Sequence, residues 1–464
     1  MSLRFESIRR VYFIGIGGIG MSALARYFVK QGKEVAGYDR TQTALTLELE
    51  SEGILIHYDD DIHSIPVQFR SEKEDTLVVY TPAVPIDHTE YQYYKNHGFR
   101  ILKRAQALGV VAQAKRVAAV AGTHGKTSTT TMLAHLLNNS VGGCDAFLGG
   151  ISKNFMNNLV LADRGSNILV VEADEFDRSF LNLYSHLAII TSVDADHLDI
   201  YETPGKVLEA YLQFASQLEE NGIMIINKNI NIHPFFKKGV KTFSYSIIQE
   251  ADYCISDLCL KNGFYQFTLK TPGGVIPEIR LGVPGLYNVE NAVAASAAAL
   301  SLGLSPNELR LGLESFKGVS RRFDIMYRGK KTVYVDDYAH HPEEIKATIS
   351  SARNFFPGRN LTGIFQPHLY SRTRDFADDF ARSLDLLDQV FLLDIYPARE
   401  EPIPGISSDT ILRLMKNRNV KLYKRGELLE FLNHSQLDVL ITMGAGDIDK
   451  MVGPIVEILT KREV

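Results

Sequence analysis

Short apolar runs alternate with stretches of helical spacing along most of this chain. Continuous runs of this kind are typical of parallel strands that are buried on both faces. They predict strands at residues 11–14, 34–39, 76–80, 99–102, 117–120, 167–172, 187–193, 332–337, 361–365, 389–395 and 439–443. The helical spacing predicts helices at 21–29, 129–137 and 207–215, an Ala-rich helix within 283–300 and a helix that begins near residue 343.

Strands and helices that alternate in this order predict an α/β fold. A length of 464 residues corresponds to about three domains. We predict an N-terminal Rossmann-like domain over residues 1–112, a central P-loop ATPase-type domain with a mixed sheet over 113–318, and a C-terminal Rossmann-like domain over 319–464. Alternating patterns between residues 240 and 279 predict further strands, which we expect to form an added sheet.

A glycine-punctuated turn, Gly122-Thr-His-Gly-Lys-Thr, joins one predicted strand to the helix that follows it. Strand, glycine-rich turn, Lys-Thr and helix is the order of a phosphate-binding loop. Glycines let backbone N–H groups surround phosphate oxygens, and a helix N-terminus adds partial positive charge. Lys126 would reach the outer phosphates, and the Thr127 hydroxyl would bind Mg²⁺. The turn is a shortened variant, because the usual earlier glycine position is Val120 here.

A second glycine-rich turn follows the first predicted strand, where Gly15, Gly17 and Gly20 complete the pattern G-x-G-x-x-G. Asp39 ends the next predicted strand about 20 residues later, which is the usual place of an acid that binds a ribose 2′-OH. On its own the pattern indicates NAD or FAD. Any nucleoside diphosphate, however, offers a pyrophosphate to a helix N-terminus. We therefore predict a nucleotide site at this turn.

Two strands of the central region end in acidic and polar residues. Glu172 ends one of them, and His197 follows the other. Open α/β sheets bind ligands at the carboxyl ends of their strands, so both side chains are expected beside the phosphate loop. There they could hold a second Mg²⁺ or its water shell, although imidazole is an uncommon ligand of this hard cation. A capping or core-edge histidine is the alternative for His197.

The Ala-rich helix begins with two asparagines, Asn288 and Asn291, which are one turn apart and share a face. Amides in these positions could bind the edge of an adenine base. They could equally act as a helix cap and a solvent-facing side chain. The residues alone leave both interpretations open.

The last predicted domain collects histidine, arginine and aspartate near the ends of its strands. These residues are Arg321, Arg322, Asp336, Asp337, His340, His341, His368, Arg372 and Arg374. Arginine and histidine at one sheet edge favour an anionic substrate that carries a carboxylate. An isolated surface charge is the alternative for Arg374.

Charge and cysteine content narrow the class of protein. The formal net charge is −5 and there is no basic block, which argues against a nucleic-acid partner. No apolar run reaches the roughly 18–20 residues of a membrane span, and the first residues lack a signal-peptide core. The three cysteines lack metal-ligand spacing, as in proteins of a reducing cytoplasm. We expect a cytoplasmic protein with no membrane partner, present as a monomer or a weak homodimer.

Taken together, the motifs resemble those of the Mur ligases, the ATP-dependent amide-forming enzymes of peptidoglycan precursor synthesis. The resemblance covers nearly the whole chain. It is carried by Gly15-Ile-Gly-Gly-Ile-Gly-Met-Ser-Ala, Gly122-Thr-His-Gly-Lys-Thr, Glu172-Ala-Asp-Glu, Asp196-His-Leu-Asp, Asn288-Val-Glu-Asn-Ala, Arg321-Arg-Phe, Asp336-Asp-Tyr-Ala-His-His-Pro and Phe365-Gln-Pro-His-Leu-Tyr-Ser-Arg-Thr. The first and the last two discriminate among members of the family, whereas the phosphate loop fits any of them.

The resemblance implies that ATP, with two Mg²⁺ ions, drives the joining of L-alanine to the carboxylate of UDP-N-acetylmuramate. It assigns the first turn to a UDP-sugar rather than NAD, through Gly15, Gly17, Gly18, Ile19, Gly20 and Asp39. It assigns ATP to Gly122, Thr123, His124, Gly125, Lys126, Thr127, Ser128, Asn288, Asn291, Arg322 and Asp337. It makes Lys126, Glu172 and His197 catalytic, and it assigns the metal to Thr127, Glu172 and His197. It assigns the muramoyl carboxylate and the amino acid to Tyr338, His340, His341, His368 and Arg372.

Two positions and one stretch distinguish the chain within that family pattern. Tyr287 stands where a histidine is frequent, and Ala339 stands where a glycine is usual. Several relatives hold a second Mg²⁺ with a carbamylated lysine in the helix predicted at 207–215, and that stretch has no lysine here. This departure favours the alanine-adding members.

Other functions remain as alternatives at this point. A nicotinamide oxidoreductase would explain the first turn but not the phosphate loop. A non-catalytic nucleotide switch would explain both turns but not the histidines and arginines of the last domain. Within the ligases, the nearest alternative is the recycling enzyme that adds a tripeptide to UDP-N-acetylmuramate.

Overall fold

A computed structural model of the chain describes residues 8–140, 142–162, 165–194, 198–261, 263–398 and 400–463. It consists of two compact units. The first unit comprises Met1–Leu258, Gln266–Leu281 and Glu290–Lys317, and the second comprises Cys259–Tyr265, Gly282–Val289 and Gly318–Val464. Both glycine-rich turns belong to the first unit, and the strand ends rich in histidine and arginine belong to the second.

The first sheet is parallel throughout. Its strands are β1 (Arg10–Ile14), β2 (Glu34–Tyr38), β3 (Leu55–His57), β4 (Thr76–Tyr80) and β5 (Arg100–Lys103). They lie in the order β3-β2-β1-β4-β5. Because the order reverses at β1, the turn after β1 opens at the switch point where such sheets bind ligands.

The helices beside this sheet are α1 (Ile19–Lys30), α2 (Ala44–Ser51), α3 (Val67–Ser71), α4 (Thr89–Asn96) and α5 (Arg104–Ala112). Helix α1 begins directly after the glycine-rich turn and buries Met21, Leu24 and Phe28 along one face. Burial of side chains of this size stabilises the fold by about 1.5–3 kcal/mol each. This packing holds the first turn of α1 at the edge of the sheet.

The central sheet has ten strands. They are β6 (Arg116–Ala121), β7 (Asp145–Ser152), β8 (Asn157–Val160), β9 (Ile168–Glu172), β10 (Leu187–Ile190), β11 (Ile223–Asn227), β12 (Lys241–Ser246), β13 (Tyr253–Lys261), β14 (Phe264–Thr271) and β15 (Gly274–Arg280). Their order is β15-β14-β13-β12-β11-β10-β6-β9-β7-β8. Strand β6 runs parallel to both of its neighbours, β9 and β10, so the carboxyl ends of all three meet at one edge.

The expectation of a separate added sheet between residues 240 and 279 is wrong. Strand β12 pairs in parallel with β11 and extends the central sheet instead. The backbone N–H and C=O groups at the open side of β11 find their partners in this way. The antiparallel pairs β7–β8 and β14–β15 make the sheet mixed, as predicted.

The helices that follow these strands are α6 (Lys126–Asn138), α7 (Leu198–Tyr201), α8 (Pro204–Ser216), α9 (Leu286–Ser301) and α10 (Pro306–Ser315). Helix α8 begins earlier than predicted, because the Thr203 side chain caps it and proline suits its first turn. It therefore includes Lys206, contrary to the expectation that the helix has no lysine. Lys206 pairs with Glu202 at the surface.

The second unit contains a six-stranded sheet. Its strands are β16 (Asp324–Arg328), β17 (Val333–Asp337), β18 (Leu361–Phe365), β19 (Gln389–Leu392), β20 (Val420–Leu422) and β21 (Val439–Met443), in the order β16-β17-β21-β18-β19-β20. Only the β16–β17 pair among these is antiparallel. Its helices are α11 (Pro342–Phe355), α12 (Tyr370–Leu384), α13 (Ser408–Leu414), α14 (Arg425–His434) and α15 (Val452–Glu463).

The core explains why the apolar runs predicted the strands well. Every residue of β10, β17, β18 and β21 is buried, as expected for strands covered on both faces. The three-part α/β architecture matches the predicted fold class. Among the residues that the structure describes, no helix combines the length and the apolar character needed to cross a membrane.

Candidate active site

The phosphate loop lies between β6 and α6 at the carboxyl edge of the central sheet. Gly122 has φ +135°, and a Cβ atom there would lie 2.0 Å from Thr191 Oγ1. Only glycine fits this position, because both the backbone angle and the close approach exclude a side chain. Thr127 and Ser128 are buried in the first turn of α6. The backbone of the loop and the N-terminus of α6 therefore lie together, as a phosphate-binding site requires.

Lys126 is held at the mouth of this loop by a carboxylate. Its ammonium lies 2.9 Å from Glu175 Oε1 and donates to Gly122 O at 2.6 Å. Burial opposes the charge of Lys126, but the carboxylates of Glu175, Asp174 and Glu172 outweigh it and raise the pKa of this lysine. Burial raises the pKa of Glu175 to about 7, although the Lys126 charge acts in the opposite direction. The lysine is thus charged and poised next to the loop.

The segment after β10 supports the other side of the loop. The Thr123 hydroxyl donates to Asp194 O at 2.8 Å, and the His124 N–H donates to Ser192 Oγ at 2.8 Å. The Thr191 hydroxyl donates to the His124 carbonyl. These bonds fix Thr123 and His124 in the loop conformation, so the predicted loop residues lie together.

Glu172, at the end of β9, reaches the same edge. Its carboxylate lies directly against Gly149 of β7, where a Cβ atom would be 2.1 Å from Oε2. Glycine at 149 therefore makes room for this carboxylate. A carboxylate and the Thr127 hydroxyl are hard oxygen donors, which fit Mg²⁺. The other predicted metal ligand, His197, lies outside the described residues.

Only one of the two asparagines belongs to the first unit. Asn291 is buried beside the phosphate loop, and its Oδ1 would lie 2.6 Å from a Cβ atom on Gly125. The Thr129 hydroxyl donates to the same oxygen at 3.3 Å. Asn288 belongs to the second unit, where its amide donates to Pro284 O at 2.6 Å.

The first glycine-rich turn also holds a carboxylate. The Gly17 N–H donates to Asp39 Oδ2 at 2.7 Å, and the other oxygen of Asp39 accepts from Thr41 N at 3.1 Å. The predicted residues Gly15, Gly18, Ile19 and Gly20 surround this point, between β1 and the first turn of α1.

Arg104 is a neighbour of this turn that the sequence did not reveal. A Cβ atom on Gly20 would lie 2.9 Å from Arg104 Nη1, so the guanidinium lies against the first turn of α1. Arg104 also pairs with Asp174 at 3.5 Å. A positive side chain at the start of α5 follows a strand at the ligand-binding edge, which is the one signal that could have identified it.

The second unit brings its predicted residues together around Tyr338. The guanidinium groups of Arg321 and Arg322 each lie 5.2 Å from the centre of the Tyr338 ring. The ring of His340 meets that of Tyr338 at 5.2 Å and that of His368 at 6.0 Å. Burial raises the pKa of Tyr338, while the neighbouring arginines act in the opposite direction.

Three further predicted residues frame this cluster. His341 is buried and meets Phe376 edge-on at 5.1 Å, and the His368 ring stacks on Tyr396 at 5.8 Å. Arg372 is buried in the first turn of α12. The cluster therefore contains cationic and neutral donors that suit a carboxylate.

Glu344 is the acidic partner that the sequence did not identify. It accepts from the backbone N–H of His340 at 3.1 Å and pairs with Arg322 at 3.8 Å. A glutamate in the first turn of a helix is a common capping residue, so the pattern gave no functional signal.

Asp337 and its neighbour Asp336 are engaged within the second unit. Asp337 accepts from Phe323 N at 2.7 Å and from Ala339 N at 2.8 Å. Burial raises the pKa of Asp337 to about 6, against the effect of Arg322. Asp336 pairs with Arg321 at 3.0 Å.

Arg374 lies apart from the cluster and fits the alternative of a surface charge. It is more than half exposed and pairs with its neighbour Asp375.

Three sequence families match the chain in order. The catalytic-domain family of the Mur ligases matches residues 10–116, the Mur ligase middle domain matches 120–299, and the Mur ligase glutamate ligase domain matches 321–446. A UDP-N-acetylmuramate–L-alanine ligase of Parabacteroides distasonis is 50% identical over 457 residues, covering 98% of both chains. The chain belongs to the Mur ligase family.

Further comparisons give similar matches. A UDP-N-acetylmuramate–L-alanine ligase of Porphyromonas gingivalis is 50% identical over 454 residues, covering 97% of this chain and 99% of the relative. The crystal structure of the UDP-N-acetylmuramate-alanine ligase of Thermotoga maritima is similar with a TM-score of 0.80 and 26% identity, covering 98% of this chain and 99% of that one. A murein peptide ligase of Psychrobacter arcticus, at 21% identity and a TM-score of 0.70, shares the fold.

Proposed function

We propose that this Mur ligase uses ATP to join L-alanine to the carboxylate of UDP-N-acetylmuramate, giving UDP-N-acetylmuramoyl-L-alanine, ADP and phosphate. The observation that carries the proposal is the Lys126 ammonium, held 2.9 Å from Glu175 at the mouth of a glycine-rich loop. Full-length identity of 50% to alanine-adding relatives supports the substrates.

The first step is phosphoryl transfer. The carboxylate of the muramoyl group attacks the γ-phosphorus of ATP, ADP leaves, and an acyl phosphate forms. Lys126 exchanges its contact with Glu175 for the phosphate oxygens and neutralises their growing charge. The loop N–H groups and the N-terminus of α6 hold the remaining phosphates.

The second step forms the amide. The amine of L-alanine attacks the acyl carbon, and the tetrahedral intermediate collapses with loss of inorganic phosphate. The amine must lose a proton in this step, and His197 is our candidate base. Positioning and charge stabilisation supply most of the catalysis, because no covalent enzyme intermediate is required.

Magnesium fits the residues that the first unit provides. Thr127 and Glu172 would hold it, together with His197, and two ions are expected. Bound there, Mg²⁺ would neutralise phosphate charge. The hydroxyl of Thr127 and the carboxylate of Glu172 supply the oxygen donors that it prefers.

The two glycine-rich turns divide the nucleotides between them. We assign the UDP-sugar to the turn that contains Gly17, with Asp39 beside it, within the domain at 1–112. ATP belongs to the loop of the domain at 113–318, with Asn288, Asn291, Arg322 and Asp337 as further candidates. The N–H groups at each helix N-terminus support both assignments.

The cluster around Tyr338 in the domain at 319–464 would bind carboxylate groups. Its donors are Tyr338, His340, His341, His368 and Arg372. Arginine suits this task, because its planar group binds a carboxylate with two parallel hydrogen bonds.

The cellular setting is part of the proposal. We place the reaction in the cytoplasm, in a monomer or weak homodimer without nucleic-acid or membrane partners. Three free cysteines, Cys144, Cys254 and Cys259, support a reducing compartment.

The deciding experiment measures phosphate release from ATP with UDP-N-acetylmuramate and each amino acid in turn, and checks the product mass. Release with L-alanine and a product heavier by one alanyl unit are expected. Release only with the tripeptide would assign the chain to peptide recycling. No release with any acceptor would overturn the proposal, and NADH binding would then favour an oxidoreductase.

A further inference from the structure

A buried amide of the central sheet contacts the first turn of α1. Asn158, on β8, is fully buried. Its Nδ2 donates to Ile19 O at 2.6 Å and to Ser22 Oγ at 2.9 Å. Ile19 is the first residue of α1 and directly follows the glycine-rich turn. The amide therefore fixes the point at which the turn becomes a helix.

The orientation of this amide is set by a buried arginine. Arg26 Nη1 donates to Asn158 Oδ1 at 2.7 Å, and a guanidinium has no acceptor, so the oxygen must face it. The other donors of Arg26 are taken by Glu48 at 3.1 Å, by Glu52 at 2.9 Å and by Asn157 Oδ1 at 3.1 Å. The NH₂ group of Asn158 consequently has to face Ile19.

The hydrogen bonds of Asn158 lie between α1 and the β7–β8 hairpin, which are also packed together by apolar side chains. Tyr27 of α1 and Phe147 of β7 meet with their ring centres 5.4 Å apart. Apolar contacts of this type hold two elements together without fixing a hydrogen-bond register. The amide of Asn158 supplies that register at the N-terminus of α1, where anions bind.

The same hairpin reaches the other predicted site. Its first strand, β7, carries Gly149, against which the Glu172 carboxylate lies. We propose that Asn158 is a positioning residue for the nucleotide-sugar site, acting through Ile19 and Ser22 at the first turn of α1. The proposal rests on the assignment of the UDP-sugar to this turn. A misplacement of a bound substrate by about 1 Å can cost about 100-fold in rate, so the position of this turn matters for the reaction.

The test separates positioning from stability with two substitutions at one site. Asn158→Asp keeps an acceptor for Arg26 but loses both donors, whereas Asn158→Ala loses everything. Calorimetric titration with UDP-N-acetylmuramate, without ATP, should give a Kd about tenfold higher for both variants, by the loss of two buried hydrogen bonds. The KM for UDP-N-acetylmuramate should rise in parallel, while the KM for ATP stays within about twofold, since the phosphate loop does not contact Asn158.

Asn154→Ala is the matched control. Asn154 lies at the tip of the same hairpin and bonds to Ser315 O and Lys317 N, away from α1. Its Kd for the sugar nucleotide should equal that of the wild type. Ser22→Ala gives a milder test with an expected loss of about threefold, should the Asn158 variants not fold.

The outcomes also distinguish this inference from the proposed function. Folded Asn158→Asp protein with wild-type Kd would overturn the positioning role. If Gly17→Val at the turn itself also leaves the Kd unchanged, then the UDP-sugar binds elsewhere and the assignment of the turn fails. Loss of binding by Gly17→Val alone would overturn only the inference about Asn158.

Discussion

The two glycine-rich turns of the first unit share a design but differ in what holds them. Each follows a strand that pairs in parallel with both of its neighbours and opens a helix, and each is contacted by a carboxylate from another part of the chain. At the first turn, Asp39 accepts from the backbone N–H of Gly17. At the second, Glu175 pairs with the side chain of Lys126, and only 4% and 13% of these two side chains are exposed.

The difference sets what a ligand must displace. At the first turn a sugar nucleotide would meet backbone N–H groups and the Arg104 guanidinium, which does not pair with the carboxylate of this turn, so Asp39 can stay and anchor the turn while also accepting from a ribose hydroxyl. At the second turn ATP would meet an ammonium that is already paired with Glu175. Only a group with several negative charges competes well with a buried carboxylate for that lysine. The second turn is therefore selective for phosphates by charge.

The largest effect is expected from loss of the Lys126 charge at the second turn. Lys126→Met should lower kcat by at least about 100-fold, because one preorganised donor at the transferring phosphate is lost. Phosphate release in the alanine assay measures this. Lys115→Met is the matched control, since Lys115 pairs with Asp145 at 2.9 Å at the opposite end of the strands. Near-normal turnover by Lys126→Met would remove the distinction between the turns.

Substitution of Glu175 tests the other member of the Lys126–Glu175 pair. Glu175→Gln keeps an amide oxygen beside Lys126, with Gly122 O and Thr123 O as further acceptors, but removes the negative charge that pairs with the buried ammonium. The free energy of unfolding should fall by about 2 kcal/mol without nucleotide, and a non-hydrolysable ATP analogue should restore more stability than it gives the wild type. Thermal denaturation with and without the analogue measures both. Asp145→Asn, which changes the Lys115–Asp145 pair, should show no such rescue by the analogue. Equal rescue in both variants would contradict the proposal that Lys126 exchanges Glu175 for phosphate oxygens.

Glu90 gives the third comparison, because its carboxyl group is buried like that of Glu175 but is paired with a tyrosine and a histidine instead of a lysine. Glu90, in the first sheet region, accepts from Tyr12 Oη at 2.8 Å and lies 3.2 Å from His57 Nε2. Burial raises its pKa from 4.5 to about 8. Between these values the folded chain holds one more proton than the unfolded chain, so the free energy of unfolding falls as the pH rises.

Glu90→Gln should remove this pH dependence. Burial lowers the pKa of His57 from 6.5, so that group acts at lower pH. Burial raises the pKa of Glu175 to about 7, so Glu175 titrates in this range, but it is present in both proteins and its contribution cancels in their comparison. From pH 7 to 8 the wild type should lose about 1 kcal/mol relative to Glu90→Gln. Denaturant unfolding at both pH values measures it, with the exposed Glu74→Gln as a control. Parallel profiles for wild type and Glu90→Gln would contradict the burial argument.

Patterns along the chain predicted the fold because its strands are buried on both faces. The bounds predicted at 76–80, 361–365 and 439–443 coincide with β4, β18 and β21. The hairpin β7–β8 escaped prediction, since its glycines and asparagines interrupt any regular period. Helix α2 escaped as well, because Leu45, Leu47 and Leu49 alternate with other residues and favour a strand. Helix α14 has helical spacing at Leu428 and Leu432, but over only 10 residues.

The site was predictable where chemistry is local in sequence. The loop motif predicted where Lys126 and Thr127 lie, and the strand pattern predicted that Glu172 lies at the same edge. Their roles in phosphate and metal binding stay predictions. Glu175 was not identified as the lysine partner, because that contact spans 49 positions and depends on β6 and β9 being neighbours. The role proposed for Asn158 depends on contacts between β8 and α1, which are more than 130 positions apart in sequence, and left no periodic signal.

The smallest effect is expected at the first turn, and its sign decides whether the two turns differ. Asp39→Asn keeps an acceptor for Gly17 but removes the charge. If the carboxylate stays and binds the ribose, the KM for UDP-N-acetylmuramate should rise about threefold, for a weakened hydrogen bond, with the KM for ATP unchanged. The exposed Asp61→Asn, at the same sheet edge, is the control. A lower KM for Asp39→Asn would mean that this carboxylate competes with the diphosphate, and both turns would then exchange an internal anion for a phosphate group.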